Sequence, residues 1–274
     1  MQIVHMIVNK LHEKVALLLS FLILSNYLFL SLSFSQLIIK INFLFFLLVV
    51  VIFYLKDIKE NINLKIFFFL ILLISLGTPT YEWDARSIWL FHGKRIFYDN
   101  SIFSIADNYA AFSHNDYPTL VPAFSASLAS LVGHWNEIFP KIAFSFMFLP
   151  PLILSYSFFK KTQYLIFLSI VFFVIGKYLF NGWMDGIVAV YFCISSLLMY
   201  ILILDEDEIQ YKNNYLYLLI ALCFFISLSL TKNEGLALLL AIFSGTLLIK
   251  IFKKELTKNI SKLFFLTLSF LPIM

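Results

Sequence analysis

The chain has 274 residues, of which 61% are hydrophobic, 19% aromatic and only 13% charged, and its mean hydropathy is +0.91. Soluble domains carry about a quarter charged residues, so this composition excludes an ordinary water-soluble fold, and it excludes disorder as well. The net charge of +4, from 20 basic against 16 acidic residues, is too small an excess for nucleic-acid binding. An all-α polytopic membrane protein is the expectation. Cys193 and Cys223 both lie in apolar runs, which leaves no disulfide framework or CxxC motif and makes them packing residues.

Crossing a hydrocarbon core of roughly 30 Å takes about 17 to 25 apolar residues. Runs of that kind fall near 15–34, 37–55, 64–80, 138–159, 163–181, 185–204, 213–231 and 234–251, and a ninth begins at 263. The expected fold is therefore a bundle of 8–9 transmembrane helices with a long outer loop carrying interfacial helices. Residues 1–80 supply three N-terminal helices, 81–136 the loop with the candidate acids, and 137–274 the rest of the bundle, its end cut within a span. The first run follows Lys10 and Lys14 as a signal sequence would, but it is too long for an h-region and no A-x-A site follows. It is read as a retained anchor.

Cytoplasmic loops collect lysine and arginine. An N-terminus in the cytoplasm places 13 of the 20 basic residues inside, among them Lys56, Lys59, Lys160, Lys212 and Lys258. The expected location is thus the plasma membrane, multi-pass, with the long loop extracytoplasmic. Residues 119–135 are apolar enough to span, which would invert everything after them. Pro118, Pro122, three serines and His134 make the segment a poor spanner, and a helix lying in the interface is preferred.

In this topology the long loop, the turn near Asp185 and the turn near Lys232 emerge on one outer face. That face holds eight acids: Glu82, Asp84, Asp99, Asp107, Asp116, Glu137, Asp185 and Glu234. The loop opens with YEWDARSIWLFHGKRIFYD, which sets Glu82 and Asp84 just past the third span. Residues 85–98 then form an amphipathic interfacial helix with Trp89, Phe91, Phe97 and Tyr98 as aromatics and Arg86, His92, Lys94 and Arg95 as cations. HNDYP follows with His114, Asn115, Asp116 and Tyr117; NGWMDG carries Asp185; TKNEG carries Lys232, Asn233 and Glu234.

Each feature has a plainer reading. Tryptophans at membrane level are commonly interface anchors, Asp185 and Asn181 can cap a helix, and Lys141 and Lys177 can snorkel. His92, His114 and His134 lack a zinc spacing. The run Asp205–Glu208 reads as a solvated inner loop, and the Asn259 sequon as meaningless on the inner side. The combination is harder to set aside, because ionisable groups at membrane level are costly unless used.

At YEWDARSIWLFHGK, HNDYPTLVPAFSASLASLVG, WMDG and TKNEG the chain resembles the bacterial GT-C membrane glycosyltransferases, a group similar to the protein mannosyltransferases and aminoarabinose transferases. The likeness covers roughly 80–250. It implies a polyprenyl-phosphate-linked sugar as donor, a glycan, lipid or protein as acceptor, and an acid at the head of the outer loop that contacts the acceptor nucleophile. Asp84 takes that role by resemblance, with Glu82 the rival. Two extra spans before the loop depart from the pattern.

An acceptor hydroxyl attacking an anomeric carbon needs a base or hydrogen-bond acceptor, which Asp84 supplies. The departing lipid phosphate gathers negative charge that Arg86, Lys94 and Lys232 stabilise. Trp89, His114, Asn115, Asp116, Tyr117, Asp185, Asn233 and Glu234 are the expected substrate contacts. A divalent cation, Mg²⁺ or Mn²⁺, on Asp84, Asp116 and Asp185 or Glu234 is an open alternative, since hard cations take oxygen ligands. The alternatives from other classes are a transporter or flippase for a lipid-linked or anionic substrate, and an inactive fragment or assembly subunit. The near absence of charge inside the apolar runs favours an enzyme working at the surface over a transporter.

Overall fold

The structure, a computed structural model, describes residues 10–55, 62–103, 113–159, 161–204, 215–255 and 259–273. Asp107, the run Asp205–Glu208 and the lysines Lys56, Lys59, Lys160, Lys212 and Lys258 lie outside the described residues. Among those described there is no β-strand. A lipid-facing backbone must satisfy its N–H and C=O groups internally, and long runs of Leu, Ile and Phe do so as helices.

The helices in chain order are α1 (Lys10–Ser31), α2 (Gln36–Leu55) and α3 (Ile62–Gly77), then a π-helical turn (Ala85–Trp89) running into α4 (Leu90–Asp99). They continue with α5 (Leu120–Val132), α6 (Ile142–Phe146), α7 (Leu149–Phe158), α8 (Lys161–Asn181) and α9 (Asp185–Met199), which ends in a second π turn (Tyr200–Leu204). The last are α10 (Tyr215–Thr231), α11 (Asn233–Phe252) and α12 (Ile260–Thr267), the last prolonged by a 3-10 stretch (Leu268–Ile273).

Four of them are long and apolar enough to cross a membrane: Leu11–Ser31, Gln36–Phe53, Asp185–Leu204 and Asn233–Phe252. They coincide with four of the expected spans. The remaining apolar segments run 10–17 residues. The expected span 138–159 is divided at Met147 and Phe148, because Pro150 and Pro151 have no N–H to offer the carbonyls one turn back and therefore open a new helix at α7.

Helix α10 is the centre of the bundle. It packs against α1, α5, α9, α11 and α12 and buries Phe224, Phe225, Leu228 and Tyr217 completely. The outer helices do the reverse. α2 exposes Leu37, Ile41, Leu44, Phe45 and Leu48, α3 exposes Phe69, Leu70, Leu73 and Ile74, and α8 exposes Leu165, Ile166, Ile170 and Phe173. Apolar faces this large are untenable against water and natural against lipid tails, so the chain is a membrane-embedded helical bundle.

One end of the bundle collects the connections that matter below. Gln36 Nε2 donates to the Phe97 carbonyl at 2.9 Å and the Asn100 amide to the Phe34 carbonyl, tying the α1–α2 turn to the end of α4. Lys141 Nζ donates to the Thr78 carbonyl and joins the end of α3 to the start of α6. At the opposite end the Tyr217 hydroxyl donates to Glu13 Oε1, and Asn259 Nδ2 reaches the Ile203 carbonyl at 3.4 Å.

Of the two helices expected to lie in the interface, α5 is instead enclosed by protein, whereas α4 packs one side inward and leaves Lys94, Tyr98 and Asp99 exposed. α5 is buried along its length up to Ser130, held between α1, α2, α4 and α6. Its serines explain how a segment so apolar is at home inside a bundle: Ser127 and Ser130 return their hydroxyls to the Ala123 and Ala126 carbonyls and leave close-packing surfaces. α4 turns Leu90, His92, Gly93, Arg95, Ile96 and Phe97 inward. Of the cations expected on its exposed face, only Arg86 and Lys94 are exposed, whereas His92 and Arg95 are buried.

Candidate functional site at the loop end of the bundle

The helix that carries Asp84 begins at Trp83, so the carboxylate sits in a first turn, where free backbone N–H groups favour negative charge. Five residues of π turn follow, and the wider winding directs Ala85, Ile88 and Trp89 into the core while leaving Arg86 exposed. Asp84 and Glu82 are both half-buried.

The turn 113–117 is fastened to α4 from beneath. His92 Nε2 lies 2.9 Å from the Ser113 carbonyl, and the Ser113 hydroxyl donates to Asn115 Oδ1 at 3.0 Å. The chain then turns back on itself with His114 in the left-handed region (φ 52) and the Tyr117 N–H bonded to the His114 carbonyl at 3.0 Å. This stacks three rings. Trp89 lies under Tyr117 with centroids 5.6 Å apart, His114 lies over it at 4.8 Å, and Trp83 meets the edge of His114 at 6.4 Å.

Two glycines bring the remaining acids to the same place. Gly182 has φ +83, and a Cβ there would lie 2.7 Å from the Ala85 Cβ and from the Phe144 ring. Only glycine lets the turn before α9 press against the residue following Asp84. At Gly235 a Cβ would fall 1.9 Å from the Leu228 carbonyl oxygen, so α11 leaves α10 with its backbone against that helix. Between them Lys232 bridges the two turns, with Nζ 2.9 Å from Asp185 Oδ1 and 3.2 Å from Glu234 Oε1. Asn233 Nδ2 donates to Asp116 Oδ2 at 3.2 Å, which closes the ring onto the long loop.

The electrostatics follow from this crowding. Burial raises the Tyr117 phenol above its ordinary value, and the carboxylates of Glu234, Asp116 and Asp84 add to the effect while Lys232 opposes it. Burial works against the charge of Lys232, but the Asp185 and Glu234 carboxylates outweigh it and raise the ammonium above the usual lysine range. Asp84, Asp116, Tyr117, Asp185, Lys232, Asn233 and Glu234 therefore gather from four separate segments of chain. His114 joins them through Asp116, its Nδ1 lying 3.9 Å from Oδ1.

Other expected residues stand elsewhere. Trp89 is buried and stacks beneath Tyr117, which places it behind that ring and not on the exposed surface of the site. Asn115 faces Ser113. Arg86 and Lys94 line a separate groove of about 830 Å³ with Lys141 and Glu137, away from Lys232, whose charge is taken up by two carboxylates. For the divalent cation, no three His, Cys, Asp or Glu side chains among the described residues stand close enough together to hold one.

Two buried ionisable residues escaped the sequence reading. Glu13 and His12 are inaccessible at the far end of α1, where Glu13 accepts the Tyr217 hydroxyl and His12 meets the edge of Tyr156 at 4.7 Å. Lys141, read as snorkelling, is also buried. The available signal was charge inside an apolar run, since Lys141 is the sole charged residue between 138 and 159. Compared with protein-family models, with characterised proteins and with solved structures, the chain finds no match.

Proposed function

We propose that the protein is an integral membrane glycosyltransferase that moves a sugar from a polyprenyl-phosphate carrier to a glycan, lipid or protein acceptor on the extracytoplasmic side. The observation that carries this reading is the convergence of Asp84, Asp116, Asp185, Lys232 and Glu234 around Tyr117 at one end of a membrane bundle. The bundle in this reading crosses the membrane eight or nine times, with the N-terminus cytoplasmic. A lipid-carried donor suits a site at membrane level, and the exposed Trp83 and His114 rings offer the flat faces on which sugar C–H groups stack.

In the proposed step the acceptor hydroxyl oxygen forms a bond to the anomeric carbon while its proton passes to the Asp84 carboxylate. The bond from that carbon to the phosphate oxygen breaks, its electron pair stays on the lipid phosphate, and the configuration inverts. Glu82 is the rival base. Asp116, held by Asn233, and Asp185, held by Lys232, are placed to accept hydrogen bonds from sugar hydroxyls. For the divalent cation considered on Asp84, Asp116 and Asp185 or Glu234 no three-ligand group stands together among the described residues, and no part of the step depends on one.

The test is transfer from a synthetic polyprenyl-phosphate sugar by the purified full chain in liposomes. Asp84→Asn is expected to lower transfer about 100- to 10,000-fold with expression unchanged. Full activity in that variant, or retained anomeric configuration in the product, sinks the assignment. A transporter for an anionic or lipid-linked substrate is the second reading, and buried Glu13 in a spanning helix favours it. There Glu13→Gln abolishes substrate movement while Asp84→Asn leaves it intact.

A further inference from the structure

The groove beside α4 has a composition of its own. Its floor and walls come from the end of α3 and the segment after it (Leu76, Gly77, Pro79, Thr80), from one side of the π turn and α4, and from the approach to α6. Three basic side chains, Arg86, Lys94 and Lys141, face it against one acid, Glu137. That acid is already engaged, because its Oε1 accepts the Trp135 indole N–H at 3.0 Å.

Lys141 is the unusual member. It is 4% exposed, it gives one hydrogen to the Thr78 carbonyl, and among the described residues no carboxylate comes within ion-pair distance of it. An ammonium taken out of water without a counter-charge is costly, and an anion in the groove would remove that cost. Arg86 and Lys94 at the rim add a planar fork and a point charge of the kind that phosphate oxygens accept. Below the groove the wall is apolar and continuous with a lipid-facing surface: Leu76 leads to Leu73, Ile74 and Leu70 on α3, each more than two-fifths exposed.

We propose that this groove holds the phosphate of a lipid whose tail lies along the exposed face of α3, with Lys141 as the buried phosphate ligand and Arg86 and Lys94 closing over it. Charge complementarity selects the anion, and the apolar run down α3 selects a lipid over free phosphate. The inference rests on the glycosyltransferase reading only in that the donor lipid would be the natural occupant. It moves the phosphate away from Lys232, which braces Asp185 and Glu234, and it adds a ligand in Lys141.

The full chain, purified in a neutral maltoside detergent, is titrated with farnesyl phosphate, a single phosphate on an isoprenoid tail, with farnesol and inorganic phosphate as the two halves of that molecule. Neither sugar nor acceptor is present, so failure of the transfer assay and failure of this site are read separately. The expected result is saturable binding of farnesyl phosphate, weakened about tenfold or more in R86Q/K94Q and in K141M, with farnesol binding no better than background. Inorganic phosphate at the same concentration is expected not to compete. R86Q/K94Q changes two exposed side chains and so decides the matter even if K141M fails to fold. Unchanged affinity in that double variant, equal binding of farnesol, or competition by inorganic phosphate at the same concentration overturns the proposal.

Discussion

Lys232 and Tyr117 titrate in the same direction for related reasons, and this gives the site a signature in alkali. Both have pKa values raised in the folded protein, the phenol chiefly by burial and the ammonium by its two carboxylates against the pull of burial. The folded state therefore binds these protons more tightly than the unfolded chain does. Stability from the pair is present below the ordinary values near about pH 10 and is lost as pH rises through the raised ones. Thermal unfolding in detergent between about pH 9 and pH 11 is expected to fall less steeply in a K232M/Y117F variant than in the wild type. Equal slopes would mean that neither proton is linked to folding. Single residues also mark where sequence reading stops. Asp84, Asp116, Asp185 and Glu234 were legible because acids beside apolar runs are conspicuous. Glu13 was not, since it sits between Lys10 and Lys14 at the head of the first apolar run, and only the three-dimensional approach of Tyr217 identifies it as interior.

Among the elements, the turns before α9 and α11 are held by the absence of a side chain. Gly182→Ala adds a methyl group 2.7 Å from Ala85 and Phe144 on a backbone with positive φ, and Gly235→Ala adds one 1.9 Å from a carbonyl oxygen. Overpacking of this order costs about 1–3 kcal/mol, and backbone in the way raises the figure. Both variants are expected to melt earlier, and Gly235→Ala is expected to lose transfer as well, because Lys232 and Glu234 move with the head of α11. Normal melting and normal transfer in Gly235→Ala would show that the α10–α11 contact does not position the site. The helical nature of every element followed from composition, and so did the start of the helix near residue 85. The burial of α5 did not, because an apolar segment with serines at close intervals looks the same whether lipid or protein surrounds it. What decides is the partner surface on α1, α2 and α4, which no local pattern encodes.

At the scale of the whole molecule the bundle has two polar ends, and the arrangement of segments between them can be measured. Cysteines placed singly at Asn115 and Asn233, both exposed, are expected to react with a membrane-impermeant thiol reagent from one side of sealed vesicles. A cysteine at exposed Lys254 is expected to react from the other. The background lacks Cys193 and Cys223, which the structure leaves as free thiols. Reaction of Asn115 and Asn233 from opposite sides would separate Asp116 from Glu234 and dismantle the site. The sequence patterns placed these segments on one face because pairs of apolar runs intervene between them. They could not foretell which pairs touch, such as Asn233 with Asp116, since that depends on the tilt and packing of the bundle as a whole.

The π turn Ala85–Trp89 bears on how this protein tolerates change. A π turn holds one residue more than the α-helical turn it replaces, and each residue of an α-helix advances about 100° around its axis. Excision of any one residue from this stretch would rewind it and swing Asp84 and Glu82 about 100° relative to the packed face of α4. Exchange of the exposed Arg86 side chain, by contrast, leaves that rotation untouched. The segment therefore behaves as a vernier: its length, more than its spelling, sets the angle at which the loop's first carboxylate addresses the acids arriving from α9 and α11.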